Sequence, residues 1–102
     1  MYEVATVVGI NNLSDDVLLK IEKELTSLGY IVMFSYEKFY DEYDQNKIEQ
    51  LKNMTKHKIY LSDKLFVIDE NFNPEVNEYI QYAKRLLLPI SYITGVNYIV
   101  GD

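Results

Sequence analysis

Five carboxylates, Asp63, Asp69, Glu70, Glu75 and Glu78, fall close to one apolar β-branched run, residues 65–68 (LFVI), and the amphipathic stretch that follows it. A glycosyl-transfer centre needs a carboxylate to attack or steady an oxocarbenium-like carbon, and a second group to handle the proton. Asp69 directly follows the apolar run, where a strand end would hand a side chain to a ligand. Glu75 and Glu78 are the other catalytic candidates. A plainer assignment also stands: Glu75 offsets a helix dipole and Glu78 lies on a solvated face. At ~100° per residue, Glu78 is turned away from the stripe that carries its neighbour Tyr79.

Two further clusters have binding chemistry. Gly9, Asn11, Asn12 and Ser14 follow the first apolar run, and a glycine turn before a helix start can receive an anion on its backbone N–H groups. The competing assignment is an ordinary turn with a serine cap. Residues 35–43 (SYEKFYDEY) are dense in aromatics and carboxylates. Tyr36, Phe39, Tyr40 and Tyr43 could stack on a base or sugar while Glu37, Asp41 and Glu42 meet hydroxyls. Equally, Phe39 and Tyr43 could cover the sheet edge or a dimer partner.

Several function classes lack their residues. There is no cysteine and a single histidine, His57, so thiolate chemistry has no group and a histidine-based metal site is not expected. No Ser-His-Asp set, P-loop or dinucleotide fingerprint is present, and no cofactor is expected. The net charge of −6 disfavours nucleic acid. A local basic cluster, residues 52–58 (KNMTKHK), fits the last turns of a helix. No apolar run approaches the ~20 residues that span a bilayer, and no secretory signal opens the chain. A cytoplasmic protein without membrane contact is expected.

The elements that must position these groups follow from periodicity. The 102 residues, 48% of them apolar, suit one domain spanning 1–102. Residues 2–8 form a first strand. Ser14 then caps a helix over 15–28, with Val17, Leu18, Ile21, Leu25 and Leu28 on one face and Gly29 just past its end. Residues 30–34 form a second strand, apolar throughout as one covered on both faces should be. A second helix starts from Asp44 or Asp41 and ends near Leu61. Strand three follows at 65–68, and a loop at 69–73. Asn73 caps a third helix over 74–87, with Pro74 at its first position and Glu75 at its positive end. Strand four is 90–93, and the tail's VNYIV is a candidate fifth strand.

This alternation predicts an α/β, flavodoxin-like (Rossmann-like) three-layer sandwich with a parallel sheet ordered 2-1-3-4(-5). Ligands of such sheets bind beyond the carboxyl ends of the strands, at the switch point between strands one and three. Its mouth would be formed by residues 9–13, 35–43, 69–73 and 94–97.

Three stretches together resemble the nucleoside 2-deoxyribosyltransferase-like superfamily, especially its short bacterial and phage members. ATVVGINNLSDDVLLKIEKELTSLGYIVM is similar to the family's opening, with a helix closing on L-x-x-x-G-Y-x-V. HKIYLSDKLFVID is similar to its K-I-D-x-(A/S)-D-x-(I/V)-F-V segment, and NEYIQYAKRLLLPISYI to E-I-E-Y-A-K-x-L-G-K-P-(V/I)-x-Y. The resemblance covers nearly the whole chain, and its order and spacing carry more weight than any one motif. It implies a nucleoside or nucleotide ligand, a sugar attacked by a glutamate four residues before Ala83, and assembly as a dimer or larger. That position is Tyr79 here, so Tyr79 would meet the ligand as a phenol, a poor nucleophile with a pKa near 10. The family's Gly-Ser pair in the first loop, and its turn before helix three, are replaced as well. The expectation is therefore a nucleoside- or nucleotide-binding homodimer without efficient transfer. The alternatives are an interaction module and an active N-glycosidase using a substitute carboxylate.

Overall fold

The computed structural model describes residues 1–95. The chain runs β1 (Glu3–Val8), α1 (Asp15–Ser27), β2 (Tyr30–Phe34), α2 (Gln45–Tyr60), β3 (Lys64–Ile68), α3 (Pro74–Arg85) and β4 (Ile90–Ile93). Two 3₁₀ segments, Glu37–Glu42 and Asp69–Asn71, occupy parts of the predicted loops. The four strands are all parallel and ordered β2-β1-β3-β4. The candidate fifth strand lies outside the described residues.

Strand alternation divides the core into two layers, because successive side chains point to opposite faces. Ala5 and Val7 of β1, with Phe66 and Ile68 of β3, pack under Val17, Ile21 and Leu25 of α1. Their neighbours Val8, Leu65 and Val67 face the other way, against Ile59 of α2 and Val76, Tyr79, Ile80 and Ala83 of α3. One helix therefore covers one face and two cover the other, the three-layer sandwich expected. The chain leaves β1 toward one layer and β3 toward the opposite layer, so a switch point lies between these two central strands.

The helix starts are side-chain caps. Ser14, Asp44 and Asn73 accept from the backbone N–H of Val17, Lys47 and Val76 respectively, and Pro74 opens α3 where its missing N–H costs nothing. The ends of α1 and α3 share one geometry with different residues. Gly29 takes the left-handed turn after α1 at φ 97°, while Leu87 takes it after α3 at φ 61°. Leu88 N–H then bonds the Ala83 carbonyl and Leu87 N–H that of Lys84, both at 3.0 Å. This Schellman closure is why α3 stops at Arg85 instead of running to Leu87.

At the amino end of the sheet, Asp63 accepts from Val4 N–H at 2.8 Å and its own N–H bonds the Val4 carbonyl at 2.7 Å. It pins β1 to the start of β3, remote from the carboxyl-end mouth.

Candidate functional site at the carboxyl ends of β1 and β3

The mouth is built around Gly9. Its φ is +87°, and a Cβ there would meet the Ile68 carbonyl oxygen at 3.2 Å and Ile68 Cβ at 3.3 Å. Only glycine lets β1 turn this tightly against the end of β3. The turn leaves the N–H groups of Gly9 and Ile10 aimed at one point, and a carboxylate occupies it. Glu37 Oε1 and Oε2 each lie 3.0 Å from Gly9 N, and Oε2 lies 3.1 Å from Ile10 N. The Ser35 hydroxyl donates to Oε1. Glu37 is only 7% exposed. Burial pushes its pKa above the ordinary carboxylate range and the Glu75 charge adds to the rise, while the bonds from Ser35, Gly9 and Ile10 pull the other way.

A second carboxylate stands across the mouth. Glu75, in the first turn of α3, accepts at Oε2 from the Tyr40 hydroxyl at 2.5 Å and the Tyr79 hydroxyl at 3.0 Å. The two phenol oxygens are 3.5 Å apart. Lys52 of α2 lies 3.7 Å from Oε1. Glu75 and Tyr79 share a helix face because they are four residues apart. Tyr79 is 1% exposed and Glu75 half-buried, so the phenol fills the core while the carboxylate caps it from the solvent side. Both phenols have pKa values pushed well up, chiefly by burial, with the Glu75 charge contributing in each case.

The 3₁₀ segment straps this cluster in place from several directions. Glu37 ties it to the β1 turn and Tyr40 to α3. Lys38 pairs with Asp15 of α1 at 2.8 Å, which lowers the Asp15 pKa. On the α2 side, Lys58 donates to the Phe34 carbonyl at 2.7 Å, and its ammonium sits 3.8 Å from the centre of the Tyr36 ring. Asn71, from the second 3₁₀ segment, donates to the Gly9 carbonyl at 2.8 Å.

Of the predicted residues, the structure thus brings together Gly9, Tyr40, Glu75 and Tyr79, with Tyr36 held under Lys58 beside them. The others stand apart from that cluster. Asn11 and Asn12 are exposed in the turn after Gly9, and Ser14 and Asn73 are engaged as caps. Asp69 is exposed and opens a 3₁₀ turn. Glu78 is exposed and pairs with Lys56 at 3.9 Å, as its place on the helix implies. His57 is exposed near the end of α2. Ser35, Lys52 and Asn71 belong to the mouth although none is a site candidate from sequence, and Glu37, a sequence candidate for meeting ligand hydroxyls, is instead buried against the β1 turn. A glutamate among exposed-looking neighbours, inside a segment without helical or strand periodicity, gives no signal of being buried.

Elsewhere, a groove of about 520 Å³ runs along α1, lined by Lys20, Ile21, Lys23, Glu24, Leu25, Ser27 and Ile93. It includes none of the mouth residues. Among the described residues, no group of three or more His, Cys, Asp or Glu is arranged to hold a metal ion, and no helix is long and apolar enough to cross a membrane. No protein-family model, curated protein or solved structure matches the chain.

Proposed function

We propose that the chain binds a nucleoside or nucleotide at the mouth between β1 and β3 and does not transfer the sugar efficiently, with the cytoplasm as its expected setting. The observation that carries this reading is the convergence of Glu37, Tyr40, Glu75 and Tyr79 at the switch point. Of these, the half-buried Glu75 can accept from sugar hydroxyls and the half-buried Tyr40 ring can flank a planar base with little entropy cost, while Glu37 and Tyr79 support them from within. Weak transfer follows from the donors already on Glu75. An oxygen holding two phenol protons has fewer lone pairs and less negative charge to offer a carbon. Tyr79, at the position where the resemblance expects a glutamate, has its hydroxyl engaged and is kept protonated.

The test is a thermal-shift panel of purine and pyrimidine nucleosides, deoxynucleosides and their monophosphates, with chromatography for released base. A ligand at about 100 times its Kd stabilises by ~2.7 kcal/mol, well within the reach of such a scan. Stabilisation without base release supports the proposal, and a panel without any shift refutes it.

A second reading has its own observation. Glu75 is a half-buried carboxylate on the inner face of α3, one turn before Tyr79, and so is the substitute carboxylate an active N-glycosidase would use. Base release that disappears in Glu75→Gln would establish it. We also propose a homodimer, supported by Phe39 and Tyr43 (47% and 46% exposed) around the strap and Phe72 (58%) beside α3. Light scattering at micromolar concentration decides between a dimer and a 12.0 kDa monomer.

A further inference from the structure

A nest of backbone N–H groups that converges on one point is a site for an oxyanion, since the donors have little else to bond and their dipoles add. At the end of β1 this nest exists and is filled from within. Gly9 and Ile10 supply the N–H groups and Ser35 the hydroxyl, and the occupant is the carboxylate of Glu37, a residue only 7% exposed. Such a carboxylate does two things at once. It uses every donor that an incoming phosphate or carboxylate would need, and it sets a negative charge where a second would have to enter. A second carboxylate, Glu75, faces the same mouth across from Glu37 and places a further negative charge there. Lys52, between Glu75 and Glu49, offsets part of the Glu75 charge, while Lys58 is directed at the Phe34 carbonyl and the Tyr36 ring rather than at the nest.

We propose that Glu37 is a specificity-determining residue, the resident anion of the Gly9–Ile10–Ser35 nest, which makes the mouth select uncharged polyhydroxylated ligands and turn away phosphorylated ones. This rests on the nucleoside reading above for the ligand class, whereas the assignment of the nest as an oxyanion site stands on the geometry alone.

The experiment separates the two. Glu37→Ala empties the nest, and its melting temperature is measured with formate, acetate or inorganic phosphate against chloride at equal ionic strength. Formate or phosphate restores part of the lost stability in the variant and leaves the wild type unchanged. In parallel, a deoxynucleoside and its 5′-monophosphate are titrated into both proteins. The wild type prefers the nucleoside by about tenfold or more, the scale set by like charges brought together, and Glu37→Ala levels or reverses that preference. Rescue by anions with no nucleoside binding to either protein keeps the oxyanion assignment and removes the nucleoside reading. No rescue beyond chloride, or equal wild-type affinity for nucleoside and monophosphate, overturns the proposal. Should Glu37→Ala fail to fold, Glu37→Gln keeps an acceptor toward Gly9 and Ile10 while removing the charge. Its discrimination against the monophosphate then shrinks, and undiminished discrimination overturns the proposal equally.

Discussion

Removing the Glu75 carboxylate takes a charged acceptor from a buried hydroxyl and leaves it only weaker, neutral ones. Tyr79 is 1% exposed and its hydroxyl donates to Glu75 Oε2 at 3.0 Å. The other acceptors near it are neutral and weaker: the Tyr40 hydroxyl at 3.5 Å, and the Thr55 hydroxyl, which donates to the Leu51 carbonyl but keeps lone pairs that can accept. In Glu75→Ala the cost of that orphaned hydroxyl is about 1–3 kcal/mol, and the lost Tyr40 bond adds roughly 0.5–1 kcal/mol, since Tyr40 can partly rebond to water. The sum is near 2.5 kcal/mol, or a fall in Tm of ~10–20 °C at the 4–8 °C per kcal/mol usual for this size. The Lys52 pair adds little, as it is loose and partly solvated. Tyr79→Phe alone should cost about 1 kcal/mol, the net worth of one hydrogen bond. In the double variant, the buried Tyr79 hydroxyl is no longer there to orphan, and only the half-buried Tyr40 hydroxyl has lost its partner. Glu75→Ala with Tyr79→Phe should therefore match or exceed the stability of Glu75→Ala alone, and fall short of additivity by about 1.5 kcal/mol. Urea denaturation of the four proteins, with unchanged m-values, measures the cycle. Losses that add to within 0.5 kcal/mol would refute the shared-carboxylate geometry.

Three other perturbations have definite signs. Leu87→Gly should stabilise by ~0.5 kcal/mol, because relief of a left-handed β-carbon (about 1–2 kcal/mol) exceeds the extra freedom glycine gives the unfolded chain; a lowered Tm would contradict it. Since the folded-state pKa of Glu37 is raised, its ionisation works against folding. Its contribution is greatest below the ordinary carboxylate pKa and declines as pH rises through the raised value, so Glu37→Gln should remove that part of the decline between acid and neutral pH. Unchanged pH dependence of urea midpoints would argue against a buried, ionisable Glu37. Tyr40 and Tyr79, held protonated in the fold, should each lower stability by about 1.4 kcal/mol per pH unit above pH ~10 relative to their Phe variants. Alkaline unfolding that is no less steep in the double Phe variant would contradict this.

The frame of this protein is legible in its sequence because it is written in periodicity and punctuation. Ser14, Asp44 and Asn73 are caps with few other uses, and the apolar runs of β1 and β3 suit central strands, whereas β2, expected to be covered on both faces, lies at the sheet edge with Ile31 54% exposed. Parallel order then follows from strands separated by helices. The site is less legible because its geometry depends on residues brought from afar. Glu37 is 28 positions from Gly9 in sequence, and nothing local marks it as the occupant of that turn. Glu75 is readable as a dipole-offsetting residue, which its position in the first turn permits. That it also gathers two phenols depends on Tyr40, 35 residues away, in a 3₁₀ segment with no amphipathic signature. Leu87 shows the same limit at a helix end, where a left-handed leucine stands in the place usually taken by glycine.

The central claim is that a ligand with sugar hydroxyls binds at the mouth at the carboxyl ends of β1 and β3, and an amide-resolved NMR titration with deoxynucleosides tests it most directly. Saturable shifts concentrated at Gly9, Ile10, Glu37, Tyr40 and Glu75 are the predicted result. Silence up to millimolar ligand, or shifts confined to the α1 groove from Lys20 to Ser27, would contradict it.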